Sequence, residues 1–409
     1  MLVVFRIGSF VPVPNINVQA LAQLNQSNNI FGLLNTFSGG ALQNFSIFAM
    51  GIMPYITASI IMQLLAMDVV PKFSQWQKEG DLGRRKITQF TRYGTILIAI
   101  FQSVAMSMGF NKMMPGLVIN PSFTTYAIIA ITLTAGTAFL MWVGEEITEK
   151  GIGNGISILI FAGIVAAIPG GVKSIYASEF FGAEDQVFIN VLKILGILVA
   201  IILLVVGVIY VLQAMRKVPV QYAKRVVGRT VYGGQSTHIP LKVNSAGVIP
   251  VIFALAILIV PPQLAQFWQG HPVADWIITN LNYQSGSWVG ITLYVLLIIG
   301  FTYFYTFVQI NPEQLSDNMK KNGGFIPGIR PGNDTANYIT RILNRITIVG
   351  ALFLAAVSVL PVFFTSLSGL PQSVQIGGTS LLIVIGVALD VSKQLESQLV
   401  KRHYKGFIK

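Results

Sequence analysis

Gly51-Ile52-Met53-Pro54-Tyr55-Ile56 has a counterpart in outline at Gly247-Val248-Ile249-Pro250-Val251-Ile252. Each copy opens a strongly apolar segment, and the copies lie roughly half a chain apart. Gly and Pro both disfavour helix interiors, Pro by roughly 3 kcal/mol. Membrane proteins accommodate such breaks where neighbouring helices or a cavity satisfy the freed backbone groups. A matched pair of interrupted spans in two halves of a chain points to a substrate pathway between internal repeats. The plainer alternative is two unrelated kinked helices.

The composition sets the class. Hydrophobic residues make up 53% of the chain and charged residues 10%, with mean hydropathy +0.68, whereas soluble domains carry about 25% charge. This is a polytopic membrane protein. No removable signal peptide is visible. Met1-Leu2-Val3-Val4-Phe5 leaves about half a span before Pro12 and Pro14, so the first helix reads as truncated. Without cysteine there is no disulfide, thiolate metal site or cysteine nucleophile. His238, His271 and His403 lie in polar stretches without metal-ligand spacing, and no cofactor is expected.

Apolar stretches at 1–13, 47–67, 93–111, 122–144, 152–169, 187–212, 245–264, 287–310, 342–366 and 376–391 give ten spans, most near the ~20 residues a crossing needs. Of the 27 Lys and Arg, 23 fall in alternate connections (68–92, the 4/5 loop, 213–244, 311–345) and in the C-terminal segment. By the positive-inside rule these face the cytoplasm, as do both termini. The basic loops either set topology or bind anionic lipid or RNA phosphate. Those at 213–244 and 311–345 carry Gly and aromatic residues beyond what topology needs, which suggests docking of a soluble cytoplasmic partner.

A secondary transporter for a small solute is the alternative function. Ion-coupled transporters keep charged residues at mid-membrane, and the centres of spans 2–5 and 7–9 hold none. Gly151-Ile-Gly-Asn-Gly155 lacks the Lys and the strand of a phosphate loop. A membrane-embedded enzyme would need a nucleophile and base that are not visible. Phe31–Phe45 is too short for a span: 15 helical residues reach about 22 Å. Interrupted by Gly39-Gly40, it reads as an interfacial or re-entrant segment, or as an exterior loop.

Several motifs carry a family resemblance. Ser46–Gln63 and Met141–Ser157 resemble two signatures of the SecY protein-conducting channels, in their bacterial, Bacillus-like Gram-positive form. Gly234–Asn244, Ile329–Gly332 and Gly377–Ile383 match as well, so the resemblance runs over essentially the whole chain. The family has a fuller first span and an N-terminal segment before it.

The resemblance implies an all-α channel of ten transmembrane helices in two inverted, pseudo-symmetric halves. These would be 1–170 (spans 1–5, with a short re-entrant plug helix at about 31–45) and 171–409 (spans 6–10). It implies a subunit of the plasma membrane, not an enzyme, that translocates unfolded secretory polypeptides and releases apolar segments laterally into lipid. Carried over by motif, the pore ring is Ile52, Ile56, Ile160, Ile252 and Ile383, with the loop lengths before Ile160 shifting the match there. The plug core is Phe37, Ser38, Gly39, Gly40, Ala41 and Leu42. Spans 2 and 7 form a lateral gate, with Pro54, Ser59, Pro250 and Phe253 along it. Each gate proline is expected to remove one helix hydrogen bond and permit a bend. Arg225, Arg229 and Arg330 fall in the docking loops. The implied partners are the SecE and SecG membrane subunits, the SecA ATPase and the ribosome. For any one isoleucine, lipid contact or core packing is the ordinary reading; for Arg330 it is a solvated loop.

Overall fold

A computed structural model describes residues 1–17, 38–66, 70–113, 116–180, 187–222, 225–227, 230–232, 236–268, 270–282, 286–368 and 378–405. Each of the ten apolar stretches carries a helix. In chain order the helices are α1 (Leu2–Gly8), α2 (Met53–Ala66), α3 (Pro71–Lys78), α4 (Asp81–Met113), α5 (Phe123–Lys150), α6 (Gly155–Phe180) and α7 (Val187–Gln213). They continue as α8 (Ile249–Ala265), α9 (Pro272–Asn280), α10 (Trp288–Gln309), α11 (Pro312–Lys321), α12 (Asn333–Ser368) and α13 (Gly378–Lys405). Seven of the described helices are long and apolar enough to cross a membrane alone; α2 with α3, bent by 98°, makes an eighth, and α8 is shorter.

Two boundaries differ from the hydropathy reading. The second span's helix starts at Met53 rather than at 47. Residues 38–52 instead run as successive turns, with Ala49 N–H donating to the Ser46 carbonyl at 2.9 Å and Gly51 N–H to Phe48 at 2.8 Å. Gly51 has φ +56°, which a right-handed helix cannot contain. The chain here is pressed onto α5: a Cβ on Gly136 would lie 1.9 Å from the Ile47 carbonyl oxygen. Conversely, α12 starts at Asn333, so Arg341 and Arg345 are helical rather than loop residues.

The early start of α12 follows from a small module that hydropathy does not show. Strand β1 (Met215–Tyr222) leads to the hairpin of β2 (Arg225–Val227) and β3 (Thr230–Tyr232), then to β4 (Ser236–Lys242). β1 pairs antiparallel with β4, Val218 opposite Ile239, and on its other edge with β5 (Gly324–Phe325). Val218 and Val220 point inward with the period of two of a half-buried strand. They pack on Leu241, Met319 and Ile326 and on Ile339, Ile342 and Leu343 of α12. That burial extends α12 by more than two turns before its membrane-length apolar stretch begins. Helix α11 is set by its ends: Asn311 Oδ1 accepts from Glu313 N–H at 3.0 Å, Pro312 follows in the first turn, and Lys320 and Lys321 close the last.

Candidate functional site

The two matched hexapeptides adopt the same local structure. Gly51 and Gly247 both sit in the left-handed region, at φ +56° and +64°. One residue on, the Ile52 carbonyl accepts from Tyr55 and Ile56 N–H at 3.1 and 3.2 Å. The Val248 carbonyl accepts from Val251 and Ile252 at 3.2 and 3.3 Å. Each turn therefore launches a helix in the same way, α2 in one half and α8 in the other. Asn244 secures the second turn, its Nδ2 donating to the Gly247 carbonyl at 2.9 Å.

This corrects the expectation for the gate prolines. Pro54 and Pro250 lie in the first turns of α2 and α8. An N–H there has no intrahelical acceptor, so neither proline removes a helix bond or makes a hinge. Among the described residues, the prolines inside helices beyond the first turn are Pro169, Pro261, Pro262 and Pro361.

Ile52, Ile56, Ile160, Ile252 and Ile383 are all buried, from 0% exposed at Ile383 to 7% at Ile252, and belong to the main apolar cluster, which also takes in residues of α1, α5, α7, α10 and α12. The Ile52 side chain lies against Gly144 of α5. Val248, the repeat partner of Ile52, was missed. It is buried in the same cluster and packs so closely on α13 that a Cβ on Gly386 would fall 2.4 Å from its Cγ1. Aligning the hexapeptides would have found it.

Of the expected plug, residues 31–37, Phe37 among them, lie outside the described residues. Ser38 to Leu42 form turns, with Gly39 and Gly40 left-handed at φ +66° and +87° and Ser38 Oγ accepting from Leu42 N–H at 3.2 Å. Gly39 lies against Gly163 of α6, and Ala41 joins the cluster that holds the five isoleucines. Leu42 belongs to a neighbouring cluster with Phe45, Met106, Phe110 and Leu133. The segment thus joins the main apolar cluster through Ala41 and is backed by α4 and α5 through Leu42.

Along the seam between halves, α8 touches α2 and α4. Phe253 stands edge-on to Phe301 and Tyr305 of α10 at 5.9 and 6.3 Å. Ser59 is half-buried and accepts from Gln63 Nε2 at 3.3 Å. Just beyond α8, Gln266 fills the space over Gly109 of α4. A cavity of about 300 Å³ opens where α8 begins, lined by Asn154, Ser157, Lys242, Asn244, Asp390 and Gln394 among others. The two halves also meet at its rim, where Gln394 Oε1 accepts from Gly153 N–H at 2.6 Å.

Among the docking candidates, Arg330 is exposed between two left-handed glycines, Gly328 at φ +81° and Gly332 at φ +110°. The loop is tied down: Ser316 Oγ donates to the Gly332 carbonyl at 2.7 Å and Thr335 Oγ1 to that of Arg330 at 2.9 Å. Arg225 lies in β2, and Arg229 lies outside the described residues.

Comparison with known proteins matches a SecY family model to residues 46–392. Curated relatives described as protein translocase subunit SecY are 63% identical in Halalkalibacterium halodurans and 59% in Bacillus subtilis. Each covers 100% of this chain, which spans 95% and 94% of the two relatives. Among solved structures, a SecY channel whose plug domain stabilises the closed state superposes with TM-score 0.65 at 18% identity. Sec61 in a canine ribosome–channel complex gives 0.61 at 18% identity; both matches cover 100% of this chain and 92% of the other. At that identity the superpositions speak to the fold.

Proposed function

The chain belongs to the SecY family, and we propose that it works as a protein-conducting channel whose pore lies between the halves 1–170 and 171–409. It is a multi-pass membrane protein and a translocase channel subunit, not an enzyme and not a small-solute transporter. The observation that carries the pore reading is that all five isoleucines, Ile52 in the entry turn of α2 and the others on four helices, are buried in one apolar cluster that Ala41 of the 38–42 segment joins. A constriction of branched apolar side chains excludes ions by dewetting. It offers no sequence-specific hydrogen bonds, so unfolded polypeptides of any sequence can slide through. In this reading 38–42 belongs to the plug, and Val248 joins the ring.

An apolar segment inside the pore gains roughly 25 cal/mol per Å² by moving into lipid. The seam between α2 and α8 is the slot we assign to that exit. Arg330, Arg225 and Arg229 are the basic residues we assign to docking SecA or a ribosome. SecE and SecG are the membrane partners and anionic lipid surrounds the basic loops. The positive-inside pattern puts these loops and both termini in the cytoplasm, with the plasma membrane as the site of action.

Because the chain has no cysteine, the gate can be tested cleanly. Cysteine pairs between α2 and α8, starting with Ser59→Cys and Phe253→Cys and scanning neighbours for workable geometry, should block export when oxidised and restore it when reduced. If every pair that crosslinks efficiently leaves export at full rate, the exit does not lie on this seam.

A further inference from the structure

Arg6 is a charged side chain within the apolar first helix, and its guanidinium is used. Nη1 donates to the carbonyl of Gly39, and the guanidinium carbon sits 4.7 Å over the Phe10 ring. Gly39 is pressed against α6 so closely that a Cβ would lie 3.0 Å from Gly163 Cα. Other contacts from the same end of the chain grip residues 44–47. Asn44 Nδ2 donates to the Ser9 carbonyl at 3.2 Å, Val13 N–H to Phe45 at 3.0 Å and Ile47 N–H to Val11 at 3.0 Å. Arg6 instead reaches Gly39, two residues before Ala41, which belongs to the cluster that holds the five isoleucines.

We propose that Arg6 is the latch of the 38–42 segment, holding it through the Gly39 carbonyl while the pathway is dry and releasing it when water enters. The proposal rests on reading this segment as the plug. A guanidinium within an apolar span is costly unless it is paired, and a charge-assisted hydrogen bond is about twice as strong as a neutral one. If the segment left a dry pathway, Arg6 would lose its hydrogen-bond acceptor and keep only the Phe10 ring beside it. If it leaves as a translocating chain brings water in, water hydrates the charge and the bond costs little to break. Arg6 thereby couples plug position to hydration, which a neutral side chain at this position cannot do. Arg6 is a positioning residue and touches no substrate in this scheme.

The test uses the channel purified with its membrane partners and reconstituted in liposomes. Ser38→Cys, at a position only 2% exposed, reports segment position through its rate of labelling by a maleimide. Ion leak reports the seal. Arg6→Leu should raise the labelling rate about tenfold or more, the equivalent of losing a hydrogen bond to a charged group, and leak should rise with it. Arg6→Lys, which keeps the charge and a donor, should stay near the parent in both. If Arg6→Leu does not accumulate, Arg6→Gln is read in its place. Labelling unchanged in the neutral variant overturns the latch, whether or not thermal stability drops. Labelling that rises while leak stays at the parent level leaves the hold on the segment standing and removes the plug reading instead.

Discussion

Replacing Ile383 with Asn puts a carboxamide into the most enclosed position of the isoleucine cluster, a side chain that is 0% exposed. The closed state then buries an amide with no partner in view, at about 1–3 kcal/mol. Lost apolar packing adds roughly 1 kcal/mol, a fraction of the 2–5 kcal/mol that truncating a buried Ile or Leu to Ala costs. In an open, hydrated pore the amide is solvated and the first term vanishes. The closed state is thus weakened by about 2–4 kcal/mol relative to the open one. At 1.4 kcal/mol per factor of ten, this is about 30- to 700-fold in the open population. Planar-bilayer conductance of the reconstituted channel should rise, as should export of precursors with defective signal sequences. Leu343→Asn is the control. Leu343 is as buried, at 0%, but lies in the module around β1 and β4. Its cost falls on folding, so leak should not follow. An Ile383→Asn channel that accumulates normally and neither leaks nor relaxes signal selection would remove Ile383 from the constriction.

Two further outcomes are expected. Arg330→Glu should abolish salt-sensitive SecA binding and SecA-driven export while the protein still inserts and folds, because the exposed tip is held by the Ser316 and Thr335 hydroxyls on its backbone carbonyls, which the substitution does not touch; binding that survives the reversal takes Arg330 out of the interface. Gly247→Ala should cost about 1–2 kcal/mol of stability from the left-handed backbone alone, since nothing lies within 4 Å of its would-be Cβ, and Gly247→Asn should cost less; equal melting temperatures for Ala and Gly would contradict the turn geometry.

The membrane helices were legible because hydropathy and charge act over tens of residues, and a span does not depend on its neighbours to be apolar. What hydropathy could not place were boundaries decided by tertiary contact. Asn333–Arg345 reads as polar loop because its apolar residues, Ile339, Ile342 and Leu343, are few. They become a helix face only once β1 and β4 supply something to bury them against. β1 itself was readable in principle, since Val218 and Val220 alternate with Lys217, Pro219 and Gln221. That period-two signal is short and sits in a stretch that charge counting marks as loop. Arg6 was visible as a charge in an apolar stretch, but its depth and its acceptor are tertiary facts: Gly39 lies 33 residues away.

The paired Gly-x-x-Pro segments show how a sequence signal can locate a site while misassigning the parts. Both residues read as helix breakers, and proline reads as the hinge because its cost in a helix interior is large. In the first turn that cost disappears, and proline helps to fix where the helix begins. The disruptive residue is the glycine three positions earlier, whose left-handed backbone in both copies separates the preceding chain from the helix. It also sets which side chain follows the turn, Ile52 in one half and Val248 in the other, both directed into the central cluster. The repeat is therefore a repeat of helix starts. Its mechanical consequence differs from that of a kink: α2 keeps a continuous helix beyond its turn, so any bend would fall at the entry turns of Gly51 and Gly247 rather than at the prolines. A seam between α2 and α8 that opens by tilting each helix about its entry turn needs no helix hydrogen bond to break.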